Sequence, residues 1–105
     1  SFTYVKDVVN ANLFVATAKG TKGEAYNCAS GVNITVNEMC DAMRRALNRM
    51  DLEPEYHDWL IGDIKMFDIS NKKLCDLGFE FQTGFEEGLA TTIQDYVALK
   101  KEGRL

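Results

Sequence analysis

The sequence predicts a small α/β fold, in which a sheet of short strands is combined with three to four helices. Short β-prone runs alternate with segments whose apolar residues recur at helical spacing. Residues that typically cap helices precede these segments, and glycines follow them. Because 105 residues suit one domain with a modest core, we predict a single domain over residues 1–105.

Four stretches are predicted to be extended. Residues 2–5 form a short β-prone run, and residues 25–28 form a second run that ends at the Ser30-Gly31 turn. Residues 55–59 are a third candidate strand. Residues 61–69 are expected to be extended around a Gly-Asp turn.

Two helices are predicted in the first half of the chain. Asp7 is expected to cap the first, which would end before Gly20. The second follows a capping box, in which the Thr35 hydroxyl accepts from the third helical amide and Glu38 reaches back. Its predicted apolar face consists of Val36, Met39, Cys40, Met43 and Leu47, with Arg44, Arg45 and Asn48 on the opposite face.

Two more helices are predicted in the second half. Ser70 is expected to cap a short helix that contains Leu74 and ends at Gly78. A last helix begins near Phe85 and frays by Gly103. Between the two, Phe79 and Phe81 are predicted to anchor the core.

Composition narrows the classes of function. A net charge of −4 and a pI near 4.9 disfavour nucleic-acid binding, which needs clustered lysine and arginine. The chain has no long apolar run for a membrane span and no signal-peptide pattern, so we expect a cytoplasmic protein. Cys28, Cys40 and Cys75 are odd in number and widely spaced, and His57 is the only histidine, so neither disulfides nor a metal site are predicted.

A series of short phrases in a fixed order resembles one enzyme family over nearly the whole chain. The phrases are FTYVKDVV at 2–9, AYNCASG at 25–31, ITVNEM at 34–39, GDIK at 62–65, DIS at 68–70, LGF at 77–79 and FEEGL at 85–89. Together they resemble the carboxy-terminal portion of an extended short-chain dehydrogenase/reductase, in the branch of the NAD-dependent nucleotide-sugar epimerases and dehydratases. The start at Ser1 looks like mid-domain sequence, so we expect a fragment.

This resemblance implies a substrate-binding domain without catalytic or cofactor-binding residues of its own. A nicotinamide enzyme of this class needs a glycine-rich turn, and no GxGxxG pattern occurs here. Tyr96 and Lys100 match the spelling of a catalytic Tyr-x-x-x-Lys pair, but they lie on the terminal helix, so we interpret the match as coincidence. NAD is therefore implied for the full-length enzyme and not for this chain.

The resemblance places three residues at the substrate site: Tyr4, Leu60 and Asp63. Leu60 stands where the family carries an arginine that grips the nucleotide diphosphate, a role suited to a planar guanidinium. Asp63 either forms the turn after Gly62 or lines the rim of the sugar site. Tyr4 shares a face with Phe2, and the two either face the pocket or pack in the core.

Two functions of different classes follow. The first is the substrate-binding portion of a nucleotide-sugar epimerase or dehydratase, which is not catalytic alone. The alternative is a stand-alone interaction module descended from such an enzyme. For the fragment we expect a homo-oligomer, because loss of the nucleotide-binding domain would expose an apolar face and a strand edge at residues 25–28 and in the last helix around 93–97. A monomer would favour the stand-alone module.

Overall fold

Four helices and no strand make up the regular structure of the chain. The computed structural model describes residues 1–105, with α1 at Val5–Thr17, α2 at Val36–Ala46, α3 at Lys72–Asp76 and α4 at Phe85–Lys101. None of these helices is both long and apolar enough to cross a membrane. The chain divides into two compact units, one of Ser1–Asn33 with Phe67–Phe85 and one of Ile34–Met66 with Glu86–Leu105.

The predicted sheet is wrong. A strand needs a neighbouring backbone that supplies a ladder of hydrogen bonds, and none of the four predicted stretches has one. The segment at residues 2–5 is linked to residues 30–32 by one backbone bond, from the Phe2 amide to the Val32 carbonyl (3.2 Å). Its other links use side chains, including a bond from the Ser30 amide to the Thr3 hydroxyl (3.1 Å). These contacts tie two irregular segments together without forming a sheet.

Helix α1 begins earlier than predicted, and Asp7 is not its cap. Val5, the last residue of a predicted strand, is the first helical residue, and Tyr4 occupies the cap position without a side-chain hydrogen bond. Asp7 lies inside the first turn and is almost fully buried, with 1% of its surface exposed. Its carboxylate accepts from the amides of Gln82 and Thr83, both at 3.1 Å. Asp7 therefore joins α1 to the segment that follows α3.

The core of the first unit lies around this junction. Ala11, Leu74 and Phe79 are buried together there, and further half-buried side chains pack against them: Phe14, Val15, Tyr26, Cys28 and Phe81. The ring of Phe79 lies 5.5 Å from that of Phe14 and 5.1 Å from that of Phe81, measured between centroids. The predicted role of Phe79 as a core anchor agrees with this packing.

The capping box of α2 is present as predicted. The Thr35 hydroxyl accepts from the Glu38 amide (3.1 Å), and the Glu38 carboxylate accepts from the Thr35 amide (2.7 Å). At the other end, Asn48 adopts a left-handed conformation (φ 53°), and the Arg49 amide bonds to the Arg44 carbonyl (2.8 Å). The helix thus ends through asparagine, well before Pro54.

The predicted division of α2 into an apolar and a polar face is wrong at several positions. Val36 and Leu47 are exposed, whereas Ala42 is buried and only 15% of the Arg44 side chain is exposed. The Arg44 guanidinium bonds to Asp41 (2.9 Å) and to the Met50 carbonyl (2.9 Å), so its charge is compensated locally. Arg44 is therefore a packing residue of the second unit, held by an ion pair and a loop carbonyl.

Removal of the cap should destabilise the chain by a modest amount. We expect Thr35→Ala to lower the free energy of unfolding by about 1 kcal/mol, because one amide at the helix start loses its acceptor. Chemical denaturation measures the change, and Thr35→Ser, which keeps the hydroxyl, should stay close to the parent. An unchanged midpoint for Thr35→Ala would contradict this role.

The cap also depends on pH. The pKa of Glu38 is lowered mainly by the hydrogen bond that its carboxylate accepts from the Thr35 amide. The hydrogen bond from the Thr35 hydroxyl lowers it further. Because the folded pKa lies below the unfolded one, the stabilisation is complete above the ordinary carboxyl pKa and is lost as the pH falls through the folded value.

Candidate functional site

The segment predicted to face the substrate contains a tight turn. The Asp63 amide donates to the Leu60 carbonyl (3.2 Å), and Gly62 has a φ of 89°, which glycine adopts without strain. The Asp63 carboxylate accepts from the Ile64 amide (3.0 Å). Leu60 and Asp63 thus lie in one turn, and the Asp63 side chain has a turn-forming role there. Their contact with a substrate stays a prediction.

Two side chains close the base of this turn. The Trp59 indole donates to the Asp63 carbonyl (3.3 Å), and the Lys65 ammonium lies 5.3 Å from the centre of the Trp59 ring. An exposed cation–π contact of this kind stabilises by about 0.5–1 kcal/mol, enough to bias the orientation of the lysine. Lys65 is therefore positioned beside the turn.

The sequence reasoning looked for an arginine at position 60 and did not consider Lys65. Lys65 is the only lysine or arginine between Arg49 and Lys72, so it is the one candidate in this stretch for contact with an anionic group. This isolation in an otherwise acidic segment was the signal that could have identified it. Leu60 itself is 74% exposed and offers no charge.

The third predicted residue, Tyr4, belongs to the other compact unit. It is half-buried, and its carbonyl accepts from the amides of Asp7 (3.0 Å) and Val8 (3.2 Å) at the start of α1. Phe2, which shared its predicted face, contacts the ring of Phe85 at 5.9 Å between centroids. Phe2 therefore has a packing role in the first unit. The contact of Tyr4 with a substrate stays a prediction.

The first unit also contains a cleft of about 210 Å³. Helix α1, the segment at residues 24–28 and α3 form its walls, and the lining residues are Ala11, Asn12, Val15, Glu24, Tyr26, Cys28 and Leu74. Pockets that enclose a drug-sized ligand usually measure about 300–1,000 Å³. This cleft can therefore hold only a small group, not a whole nucleotide sugar.

The rim of the cleft carries a closed ion pair. The Lys73 ammonium donates to the Glu24 carboxylate (2.6 Å) and to the Ala25 carbonyl (2.9 Å), and lies 4.6 Å from the centre of the Tyr26 ring. The hydrogen bond and charge of Lys73 lower the pKa of Glu24, and the hydrogen bond to Glu24 raises the pKa of Lys73. Both groups remain charged at neutral pH, so neither is suited to proton transfer there.

The cysteine in the cleft has a thiol pKa above its ordinary value. Burial raises the pKa of the Cys28 thiol, and the negative charge of Asp7 raises it further. A protonated thiol is a weak nucleophile and a poor metal ligand. Moreover, no group of three or more His, Cys, Asp or Glu side chains is arranged to hold a metal ion.

The residues of the chain do not fit a nicotinamide dinucleotide. Such a cofactor binds where a glycine-rich turn joins a strand to the start of a helix. The chain has neither the GxGxxG pattern nor a strand, and the cleft of about 210 Å³ is too small for a dinucleotide. Tyr96 and Lys100 both lie exposed on α4, where residues four apart are neighbours in any helix.

Known proteins with similar sequences include a dehydratase, a reductase and a glycan biosynthesis protein. The chain is 28% identical to dTDP-D-glucose 4,6-dehydratase of Mus musculus over 91% of its own length and 28% of that protein. It is 30% identical to anthocyanidin reductase of Arabidopsis thaliana, over 83% of the chain and 24% of the reductase. The low-salt glycan biosynthesis protein Agl12 of Haloferax volcanii is also 30% identical, over 90% of the chain and 30% of Agl12.

The three relatives belong to one enzyme family. They are all extended short-chain dehydrogenases/reductases, so the resemblance inferred from the sequence is confirmed. The chain spans about a quarter to three tenths of the length of these relatives. No family model matches the sequence. No solved structure matches it either.

Proposed function

We propose that the chain is the substrate-binding portion of an NAD-dependent nucleotide-sugar epimerase or dehydratase and is not catalytic alone. The observation that carries the proposal is the similarity to dTDP-D-glucose 4,6-dehydratase over 91% of the chain, which covers only 28% of that enzyme. The remainder of such an enzyme would bind NAD and supply the acid and base. A cytoplasmic location is part of the proposal, since three free thiols suit a reducing compartment.

Within this proposal, the turn at residues 60–63 faces the nucleotide sugar and Lys65 provides the positive charge directed at its diphosphate. Three features support this assignment: the turn lies in the segment that the resemblance predicts to be near the substrate, Lys65 is held beside it by Trp59, and no arginine occupies position 60. An ammonium is a compact point charge without the bidentate fork of arginine, so we expect weak binding. Tyr4 remains the proposed contact from the first unit.

The experiment is a titration of the isotopically labelled chain followed by nuclear magnetic resonance. We expect dTDP-glucose to shift the amides of Gly62, Asp63 and Lys65 at millimolar concentration, and NAD to shift none of them. Leu60→Arg should tighten dTDP-glucose binding about tenfold, because a charge-assisted hydrogen bond contributes about 1.5 kcal/mol at the lower end of its range. Leu13, an exposed leucine on α1, provides the matched control Leu13→Arg, which should not change the affinity.

Two results would contradict the proposal. Binding of NAD at micromolar affinity would show that the chain holds the cofactor itself. Absence of any shift with dTDP-glucose, in the parent chain and in Leu60→Arg alike, would remove the substrate-binding role. The second outcome would favour the stand-alone interaction module, for which the exposed apolar side chains between residues 56 and 66 are the supporting observation.

A further inference from the structure

The indole of Trp59 links the turn at residues 60–63 to the ammonium of Lys65. Its Nε1–H donates to the Asp63 carbonyl (3.3 Å), and the Lys65 Nζ lies 5.3 Å from the centre of its ring. The Asp63 amide in turn donates to the Leu60 carbonyl (3.2 Å). Asp63 thus bonds to Leu60 through its amide and to Trp59 through its carbonyl, so the orientation of the indole depends on the geometry of the turn.

Lys65 is oriented by an aromatic ring and not by a carboxylate. The ion pairs of the chain all use other side chains, although Asp63 is only two residues away. The Asp63 carboxylate accepts from the Ile64 amide instead (3.0 Å). Lys72 and Lys73, in contrast, each donate to a carboxylate at 2.6 Å, so an incoming phosphate would have to displace that partner.

This difference favours Lys65 for anion binding. A cation–π contact attracts the ammonium through the quadrupole of the ring and leaves its charge uncancelled. The N–H donors of the ammonium therefore stay available to phosphate oxygens. A lysine that moves freely loses rotamer entropy when it binds a ligand, and a ring that already restricts the side chain reduces this cost.

We propose that Trp59 is a positioning residue of the substrate site, which holds the Lys65 ammonium beside the turn for the diphosphate of the nucleotide sugar. The inference rests on the proposed function and adds a residue to it. Trp59 acts through Lys65, so its effect on substrate affinity should vanish when position 65 carries no charge.

The experiment is a double-mutant cycle, in which the labelled chain is titrated with dTDP-glucose and followed by nuclear magnetic resonance. Trp59→Leu should raise the dissociation constant about two- to fivefold, the equilibrium equivalent of an exposed cation–π contact. Trp59→Phe, which keeps a ring for the ammonium, should raise it less. In a Lys65→Gln background, Trp59→Leu should cause no further loss, a coupling that a purely structural role would not produce.

A matched control and a readout without ligand accompany the cycle. Tyr56→Leu removes another exposed ring of the same segment, one that has no ammonium over it, and should leave the dissociation constant unchanged. In the free chain, the ring current of Trp59 should shift the methylene protons beside the Lys65 ammonium upfield, and Trp59→Leu should remove this shift. Trp59 is 53% exposed, so its replacement should leave the helices intact, which circular dichroism checks.

The outcomes separate this inference from the proposed function. If the parent binds dTDP-glucose and Trp59→Leu binds it equally well, or the parent lacks the ring-current shift, the positioning role is overturned and the proposed function stands. An equal loss with and without the Lys65 charge would also overturn that role, since Trp59 would then contact the substrate itself. Absence of binding in the parent and in Leu60→Arg would overturn the proposed function, and the positioning role with it.

Discussion

Replacement of Asp7 by alanine is expected to lower the free energy of unfolding by about 3 kcal/mol, which is a large part of the stability of a small domain. The carboxylate is 1% exposed and accepts two backbone hydrogen bonds, from Gln82 and Thr83. Alanine leaves both amides without their acceptor in a part-buried position. Chemical denaturation measures the loss, and the irregular segment at residues 79–83 should become protease-sensitive.

Two variants make this result specific to the hydrogen bonds of Asp7. Asp7→Asn keeps the volume and one acceptor oxygen, so we expect an intermediate loss of stability. Asp76→Ala removes an exposed carboxylate that pairs with Lys72 at 2.6 Å, and a surface pair of this type contributes at most about 1 kcal/mol. If Asp7→Ala behaved like Asp76→Ala, the Gln82 and Thr83 amides would not depend on this carboxylate.

The sequence predicted the local features of the fold well because they depend on neighbours in the chain. The capping box needs only Thr35 and Glu38, three residues apart, and it is present. Gly78 was expected to end the short helix, and it follows α3 with a φ of 100°. Ser70 lies one residue before the Asn71 cap position, but its hydroxyl accepts from the Lys72 amide as a cap would (3.3 Å). Such signals are complete within a few residues.

The strands were predicted incorrectly because a strand depends on a distant partner. β-propensity describes how well a side chain suits a pleated surface and not whether a neighbouring strand exists. At residues 25–28 the side chains of Tyr26 and Cys28 pack on the core of the first unit, yet the backbone has no ladder. The same holds for residues 55–59 and 61–69, which stay irregular.

The candidate site could be predicted only in part, for a similar reason. The turn at Gly62 and Asp63 follows from local residue preferences, and the structure contains it. The position of Lys65 depends on its contact with Trp59, and the burial of Asp7 depends on amides 75 and 76 residues away. Neither relation leaves a periodic pattern in the sequence. An acidic residue at a helix start suggests a cap, and only the tertiary structure shows that Asp7 joins two segments.

Phe79→Ala should produce the largest loss of stability in the chain, about 3–5 kcal/mol, because it opens a cavity in the core of the first unit. Phe79 is 6% exposed, packs with Ala11 and Leu74, and contacts the rings of Phe14 and Phe81. Phe67→Ala is the matched control, since that ring is 57% exposed and its removal should cost less than about 1 kcal/mol. Thermal and chemical denaturation of the two variants should therefore separate clearly. Equal losses would mean that the first unit is not organised around Phe79.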